Sequence, residues 1–416
     1  MEPQPTICAV STAPGIGGIA VIRVSGSDAI AICDRILRFR SKNLAAQPSH
    51  TAHLCQVYDD EKLLDEVVCT VFRGPNSFTG EDTVEIACHG SQYIQQELLR
   101  VLLKNGCTMA SAGEFTKRAF LNGKMDLAEA EAVADLIASE SAAAHRLALT
   151  QMRGGFSSEL ASLRTRLLEL TSLLELELDF SEEDVEFADR SQLNELCQTI
   201  SSRIHTLSQS FKLGNALKNG IPVAIVGETN AGKSTLLNRL LGEEKAIVSD
   251  IHGTTRDTIE DHVVIGGVNF RFIDTAGIRE TDDQIENIGI KRSYGAMEKA
   301  SVVVWMIDAL QVSEHIDWMA DRIVPRCEGK HLLIVFNKAE SLSDEDKAVL
   351  NNLFANFTAP LIFLSAKFDE SLAPLTDELL RVSGVAELQQ NELLVTNMRH
   401  YEALLQAGAA IQRVQQ

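Results

Sequence analysis

The sequence predicts an α/β protein in which a doubly wound sheet is inserted into an α-helical domain and is preceded by a smaller α/β domain. Three observations support this fold class. From residue 221 to about residue 380, apolar strand-like runs alternate with helix-length segments. From Asp126 to Gly220 there is no proline, and apolar residues recur at helical spacing. Before residue 120, strand-like runs alternate with Gly and Pro turns and helix-like stretches.

We therefore expect three domains along the chain. The first spans residues 1–120, with strands at 19–24, 66–72 and 83–88 and a helix at 93–103. The helical domain spans 121–215 and resumes at 380–416, where the chain becomes rich in Glu, Gln and Leu. An interruption is expected near Gly154 and Gly155. The inserted domain spans 216–379, with strands at 221–226, 268–273, 302–307, 332–336 and 361–364.

Composition limits the function classes. A length of 416 residues and a net charge of −20 argue for several domains and against nonspecific nucleic-acid binding, although a local basic patch is not excluded. The eight cysteines are scattered, with no C-x-x-C pair, which argues against zinc and disulfides. The sequence starts without a signal-peptide pattern, and no apolar run reaches about 18 residues. We expect a cytoplasmic protein without a membrane partner.

Residues 227–234 form the most informative motif, Gly-Glu-Thr-Asn-Ala-Gly-Lys-Ser. It follows a strand-like run and precedes a helix-like segment, which is the context that a phosphate-binding loop requires. Its glycines let backbone N–H groups surround phosphate oxygens, Lys233 neutralises the outer phosphates, and the Ser234 hydroxyl can ligate Mg²⁺. An ordinary glycine-rich turn is the alternative that this context disfavours.

Four further signals follow in the order that a GTPase requires. Asp274-Thr275-Ala276-Gly277 ends a strand, and Thr254 and Thr255 can offer a second hydroxyl to Mg²⁺. Asn337-Lys338-Ala339-Glu340 resembles the guanine-reading Asn-Lys-x-Asp, and Ser365-Ala366-Lys367 can place a backbone N–H at the guanine carbonyl. The predicted GTP-binding residues are Asn230, Ala231, Gly232, Lys233, Ser234, Thr235, Ser249, Asp250, Ile251, His252, Gly253, Thr254, Thr255, Asp274, Thr275, Ala276, Gly277, Asn337, Lys338, Ala339, Glu340, Ser365, Ala366 and Lys367.

Two positions depart from the common GTPase pattern. Glu340 is one methylene longer than the usual aspartate, so we expect guanine to bind with some loss of affinity. Ile278 stands where Ras-like proteins carry the glutamine that orients the attacking water. The acidic stretch 280–286 can orient the water instead, or it is a solvated loop. A monovalent cation held by Asn230 and carbonyl groups of residues 249–254 can supply the missing positive charge.

These motifs resemble those of the bacterial Era, Der and MnmE group, and three strings in the N-terminal half, 13–26, 74–82 and 113–127, resemble the MnmE (TrmE) family of tRNA-modification GTPases. The resemblance covers nearly the whole chain. It implies a Ras-like GTPase domain, an N-terminal tetrahydrofolate-binding domain and a homodimer. It also implies work with the flavoprotein MnmG, as a heterotetramer, to add an aminomethyl or carboxymethylaminomethyl group at carbon 5 of the wobble uridine of certain tRNAs.

The resemblance also implies site residues. Arg23, Glu81 and Lys124 match the positions that bind 5-formyl- or 5,10-methylene-tetrahydrofolate; these residue types suit a pterin ring and a glutamate tail, although each singly is more often a surface charge. The family's K⁺ ligands fall on Asn230, Ser249, Ile251 and Thr254, its Mg²⁺ ligands on Ser234 and Thr255, and its water-orienting catalytic residue on Glu286. By charge alone, Lys117, Arg118 and Lys124 are candidate contacts to tRNA phosphates.

Two other functions stay open at this point. The first is a GTP-dependent binding switch in ribosome assembly, like Era or Der, but this sequence has one phosphate loop and no basic C-terminal region. The second is a P-loop kinase, which leaves Asn337 and Ser365-Ala366-Lys367 unexplained. Family members end in Cys-Ile-Gly-Lys, whereas this sequence ends at Gln416. We expect hydrolysis not to need that tail and the modification step to depend on it.

Overall fold

The computed structural model describes residues 4–39, 43–179, 190–243, 260–273, 294–312, 316–368, 371–385 and 393–415. The chain folds as two compact units. The first unit comprises Met1–Ala134 and Met152–Ser157, and the second comprises Asp135–Gln151 and Ser158–Gln416. Among the described residues, no helix is both long and apolar enough to cross a lipid bilayer.

A seven-stranded sheet of order β3-β4-β5-β6-β2-β1-β7 forms the first unit. All neighbouring strands are antiparallel except β1 and β7, which are parallel. The strands are β1 (Ile7–Val10), β2 (Ile19–Ser25), β3 (Leu37–Phe39), β4 (Thr51–Asp59), β5 (Lys62–Phe72), β6 (Thr83–His89) and β7 (Thr108–Met109). The accompanying helices are α1 (Ala29–Ile36), α2 (Gln92–Lys104), α3 (Glu114–Leu121) and α4 (Leu127–Ile137).

Side-chain alternation on β2 separates the core of this unit from its candidate site. Ala20, Ile22 and Val24 are buried and belong to a core shared with α1 and α2. Val21 and Arg23 lie on the other face, because successive side chains of a strand point to opposite sides of the sheet. An antiparallel sheet of this kind needs only one fully apolar face.

Long helices before and after the second sheet pack against each other. The helices are α5 (Ala142–Met152), α6 (Gly155–Asp179), α7 (Arg190–Asn219) and α12 (Met398–Val414). The break between α5 and α6 lies where the sequence predicts it. Phe211 of α7 stacks on Tyr401 of α12 with ring centroids 4.6 Å apart. Since α7 precedes the second sheet and α12 follows it, the predicted insertion of an α/β domain into a helical domain is confirmed.

The second sheet has six strands in the order β13-β12-β11-β8-β10-β9. All pairs are parallel except the hairpin of β9 and β10. The strands are β8 (Ile221–Gly227), β9 (Asp261–Ile265), β10 (Val268–Phe272), β11 (Val302–Asp308), β12 (His331–Asn337) and β13 (Leu361–Phe363). The helices of this domain include α8 (Lys233–Glu243), α9 (Ile316–Ile323), α10 (Asp344–Leu353) and α11 (Ala373–Val382).

The position of β8 decides where a ligand can bind. It pairs with β10 on one side and with β11 on the other, so the strand order reverses beside it. In open α/β sheets, ligands bind at the carboxyl ends of the strands at such a reversal. Every residue of β11 is buried, as a central strand covered on both faces requires. The phosphate-loop motif lies at this end of β8.

Candidate functional site

The phosphate loop connects the end of β8 to the start of α8, and its two motif glycines have no room for a side chain. Gly227 has φ +149° and Gly232 has φ +97°, conformations that side chains with a Cβ rarely adopt. A Cβ on Gly227 would overlap the carbonyl oxygen of Met306, and one on Gly232 would overlap the side-chain amide of Asn337. Glycine is therefore required at both motif positions, because β11 and Asn337 approach the loop closely.

Lys233 folds back over its own loop. Its Nζ donates hydrogen bonds to the carbonyl oxygens of Gly227 at 2.9 Å and Glu228 at 2.6 Å. Burial lowers the pKa of Lys233 to about 8, and the nearby charge of Glu228 partly opposes that shift. Within the described part of the chain, the partners of this ammonium are neutral carbonyl oxygens, and exchanging them for a phosphate, which carries a full negative charge, is favourable. The loop is thus chemically suited to an anion.

Asn337, at the end of β12, joins this loop to a third segment. Its Nδ2 donates to the carbonyl oxygen of Ala231 at 2.8 Å, and its Oδ1 accepts from the backbone N–H of Ala366 at 2.9 Å. The residue is 4% exposed, and both ends of its amide are satisfied. One side chain therefore holds the phosphate loop and the Ser365-Ala366-Lys367 segment together, a link between motifs that the sequence did not predict.

The other residues predicted to read the base follow Asn337 directly in the chain. Lys338 has φ 64°, and its Nζ lies 2.5 Å from Oδ2 of Asp308. Ala339 and Glu340 lie in a 3-10 turn, Ala339–Ser341, where Glu340 is exposed. The departure at position 340 therefore lies on the surface, and the expected loss of guanine affinity stays a prediction.

Three side chains that the sequence did not single out support the site. Ser371 Oγ accepts from the N–H of Ser365 at 3.0 Å. Arg239 of α8 donates through Nη2 to the carbonyl oxygen of Lys367 at 2.7 Å. Asp308 holds Lys338, as described above. A carboxylate at the end of an otherwise apolar strand was a signal available for Asp308. Arg239 gives no sequence signal because its partner, Lys367, lies in a distant segment. Ser371 is only six residues from its partner, Ser365, but a serine in a loop is too common to be a signal.

Within α8, Ser234 is half-buried and Thr235 is exposed, while Asn230 is exposed in the loop with φ 65°. The rest of the predicted nucleotide site lies outside the described residues and stays a prediction. It comprises Ser249, Asp250, Ile251, His252, Gly253, Thr254, Thr255, Asp274, Thr275, Ala276, Gly277 and Glu286.

In the first unit, Arg23 is held between aromatic rings and a carboxylate. Its guanidinium carbon lies 5.1 Å from the centroid of Phe78 and 5.5 Å from that of Phe115. Its Nη2 lies 2.7 Å from Oε1 of Glu85, the residue directly opposite on β6. Ring stacking and ion pairing orient the guanidinium in a way that suits recognition of a planar or anionic group.

Glu81 lies in the loop 74–82, between β5 and β6, and Lys124, which follows α3, contacts the same loop. Glu81 accepts from Ser25 Oγ at 2.8 Å and lies 3.2 Å from Nη1 of Arg118. Lys124 Nζ donates to the carbonyl oxygen of Pro75 at 3.0 Å. The structure therefore brings Arg23, Glu81 and Lys124 to one loop, although the three do not pair with one another.

The burial of Arg118 contradicts the expectation, based on charge alone, that it contacts tRNA phosphates. It is 2% exposed and binds Glu81, Glu114 and the carbonyl oxygen of Pro5. A buried arginine with two carboxylate partners is not available to a phosphate on the surface, so the expectation that Arg118 contacts tRNA is wrong. Lys117 and Lys124 are exposed and stay candidates.

Family models match both parts of the chain. One, described as the GTP-binding protein TrmE N-terminus, matches residues 6–124, and another, the MnmE helical domain, matches residues 127–416. The tRNA modification GTPase MnmE of Bacteroides thetaiotaomicron is 56% identical over 99% of this chain and 90% of its own length. The chain belongs to the MnmE family. The Flavobacterium johnsoniae MnmE is 53% identical over 99% of this chain and 89% of its own length.

Membership of the MnmE family makes the chain a GTPase, a hydrolase that acts on GTP. Among solved structures, Era of Aquifex aeolicus bound to GDP and AlF4⁻ is 26% identical, with a TM-score of 0.30 over 38% of this chain and 55% of that one.

Proposed function

We propose that this chain is a potassium-stimulated GTP hydrolase that acts with the flavoprotein MnmG on carbon 5 of the wobble uridine of certain tRNAs. The reaction adds an aminomethyl or carboxymethylaminomethyl group and draws one carbon from a tetrahydrofolate. The observation that carries the nucleotide part of this proposal is the Asn337 bridge, because it joins the phosphate loop to the guanine-reading segment.

The residues at the phosphate loop fit Mg²⁺ and K⁺. Ser234 offers a half-buried hydroxyl in the first turn of α8, and Thr255 would supply a second one. Asn230 would hold K⁺ together with Ser249, Ile251 and Thr254. If bound there, Mg²⁺ would neutralise phosphate charge and K⁺ would supply the positive charge that an arginine finger provides elsewhere, while Glu286 would orient the attacking water.

The donor set of the first unit fits a tetrahydrofolate. Arg23, between two aromatic rings, presents a cation beside apolar surface, and the partly exposed carboxylate of Glu81 can accept N–H groups of a pterin. Lys124 is exposed and can meet an anionic glutamate tail. A bound 5-formyl- or 5,10-methylene-tetrahydrofolate would supply the carbon. In this proposal, Arg23, Glu81 and Lys124 bind and orient the tetrahydrofolate.

The proposed assembly is a homodimer joined to MnmG as a heterotetramer, with GTP or GDP and tRNA as ligands. All eight cysteines are free and buried, which supports a reducing compartment, the cytoplasm. The proposed domains are residues 1–120, residues 121–215 together with 380–416, and residues 216–379.

The deciding experiment compares steady-state GTP hydrolysis in matched potassium and sodium chloride, with ATP as the control nucleotide. We expect a strong rise in potassium that is confined to GTP. Equal slow rates in both salts would remove the cation mechanism and favour a GTP-dependent binding switch of the Era or Der kind. Glu286→Ala should abolish hydrolysis and leave GTP binding nearly intact, and loss of binding as well would contradict its catalytic role.

A separate experiment tests the folate site. Arg23→Ala should weaken the binding of 5-formyl-tetrahydrofolate, measured by isothermal titration calorimetry, while GTP hydrolysis stays at the wild-type rate. Arg38→Ala is a matched control, because Arg38 also lies over an aromatic ring, that of Tyr58 at 3.9 Å, but belongs to β3. Equal binding by wild type and Arg23→Ala would contradict the site.

A further inference from the structure

Asp308 is a nearly buried carboxylate that belongs to none of the predicted GTPase motifs. It is the last residue of β11 and lies directly opposite Asn337 in the register of β11 and β12. Its side chain is 10% exposed. A carboxylate removed from water in this way must be compensated by hydrogen bonds or by an opposite charge.

Both oxygens of Asp308 have partners, and the partners differ in kind. Oδ1 accepts from the backbone N–H of Leu310 at 3.0 Å and so stabilises the turn after β11. Oδ2 lies 2.5 Å from Nζ of Lys338. The first interaction needs only an acceptor oxygen, whereas the second needs the negative charge. The two roles of Asp308 can therefore be separated by substitution.

Lys338 is fixed at both ends of its side chain. Its backbone adopts a left-handed conformation with φ 64°, which is uncommon for residues other than glycine. The following N–H, of Ala339, donates to the carbonyl oxygen of Leu364 at 3.1 Å. At the tip, the ammonium is held by Asp308. A lysine that is free in solution has many rotamers, and ordering it on binding would weaken a ligand.

We propose that Asp308 is a positioning residue for the guanine nucleotide: its carboxylate holds Lys338 in the orientation that receives the base. This inference rests on the proposed function, since it concerns the same nucleotide site. The base is common to GTP and GDP, so the effect must be equal for the two nucleotides. The effect of Asp308 on affinity must also act through Lys338 and must leave the phosphate loop unchanged.

The test measures the Kd of fluorescent GDP and of a non-hydrolysable GTP analogue for wild type, Asp308→Asn, Lys338→Met and the double variant. Asp308→Asn keeps an acceptor for Leu310 but removes the charge. We expect both single variants to weaken both nucleotides about tenfold. The double variant should be no weaker than the weaker single one, because the two residues act as one unit. The KM for GTP should rise without a matching fall in kcat.

Several outcomes would overturn the proposal. Unchanged affinity in Asp308→Asn would show that the charge is not used, and losses that multiply in the double variant would show that Asp308 acts independently of Lys338. Failure of wild type to bind GDP would refute the proposed function itself. Asp308→Ser, which also keeps a turn-capping oxygen, repeats the test if the Asn variant does not fold. Asp317→Asn, at an exposed position of α9, is the control and should bind like wild type.

Discussion

Gly232 illustrates how a residue far along the chain determines the conformation of a motif position. Its φ of +97° and the side-chain amide of Asn337 leave no volume for a Cβ. The same amide donates to the carbonyl oxygen of Ala231, so the phosphate loop and the end of β12 are packed as one body. Backbone freedom and close approach are both needed here, and only glycine provides both.

We predict that Gly232→Ala separates the phosphate loop from Asn337. The added methyl group must displace the amide, and the backbone conformation itself costs about 1–3 kcal/mol for a residue with a Cβ. GDP affinity should fall sharply, as measured by fluorescence titration. Gly242→Ala is the control, because a Cβ there meets nothing within 4 Å. Wild-type affinity in Gly232→Ala would contradict the predicted clash.

Lys233 makes nucleotide affinity depend on pH. In the absence of nucleotide its pKa is about 8, chiefly because of burial. A bound phosphate favours the charged form and raises the pKa, so binding above pH 8 takes up a proton. Affinity should therefore be level up to pH 7.5 and fall above pH 8, approaching tenfold per pH unit.

Calorimetry in buffers of different ionisation enthalpy at pH 8.5 measures this proton uptake directly. The pH range should stay between 7 and 9, so that the base itself does not titrate. The Lys233→Arg variant keeps its positive charge at every pH tested. If it binds nucleotide, its affinity should therefore not change with pH. A level affinity in wild type across this range would contradict the depressed pKa.

At the scale of elements, local signals and distant partners contribute differently. Helix α10 begins with a capping box in which Ser343 Oγ accepts from the N–H of Asp346 at 3.2 Å and Asp346 Oδ2 accepts from the N–H of Ser343 at 3.0 Å. These reciprocal bonds satisfy N–H groups that have no partner within the helix. The start of α10 is therefore determined by four consecutive residues.

We predict that Ser343→Ala destabilises the second unit by about 1 kcal/mol, because one N–H of the first turn loses its acceptor. Urea unfolding followed by tryptophan fluorescence measures the change, since Trp305 is fully buried in the core against which Phe354, at the end of α10, packs. Ser341→Ala, at an exposed position just before the helix, should unfold like wild type. Equal losses in both variants would show that the cap contributes nothing specific.

Helix α3 is attached to its unit by Arg118, which pairs with Glu81 of the loop 74–82 and with Glu114. Arg118→Met keeps the volume and removes the charge, so two partly buried carboxylates lose their common partner. We expect a loss of about 2–3 kcal/mol in the free energy of unfolding of the first unit, discounted because both glutamates are partly exposed.

Hydrogen exchange of the backbone amides of β2 and β6, both in the first unit, measures this loss at increasing urea concentration. The matched control is Arg100→Met, which removes an arginine that also pairs with two carboxylates but is half exposed. The free energy of unfolding of the Arg100→Met variant should change little, since water and salt screen exposed ion pairs. Similar losses in the two variants would show that burial is not what makes Arg118 important.

At the scale of the whole molecule, the two units differ in their expected response to nucleotide. The nucleotide residues and both tryptophans, Trp305 and Trp318, belong to the second unit. GDP at about 100 times its Kd should therefore raise the free energy of the tryptophan-monitored transition by about 2.7 kcal/mol. ADP should not. A transition that is insensitive to GDP would contradict the location of the site.

Much of the fold followed from the sequence. All five strands predicted after residue 220 are present, and helix α2 lies within one residue of its predicted bounds. The edge strand β9 and four strands of the first unit, β1, β3, β4 and β7, were missed. Strand β1 is apolar throughout but only four residues long, and the other missed strands lack a continuous apolar run. The pairing of such strands depends on the neighbour that tertiary structure brings beside them.

The sequence by itself determined the order of the nucleotide motifs and their places at the ends of strands, because these depend on local spacing and on glycine. Only the tertiary structure decided how the charged residues pair. Arg118 proved to be buried, Arg23 pairs with Glu85, and Asp308 holds Lys338. Partners of this kind come from separate segments, and the cost of burying a charge selects the nearest opposite charge in space, which the sequence does not specify.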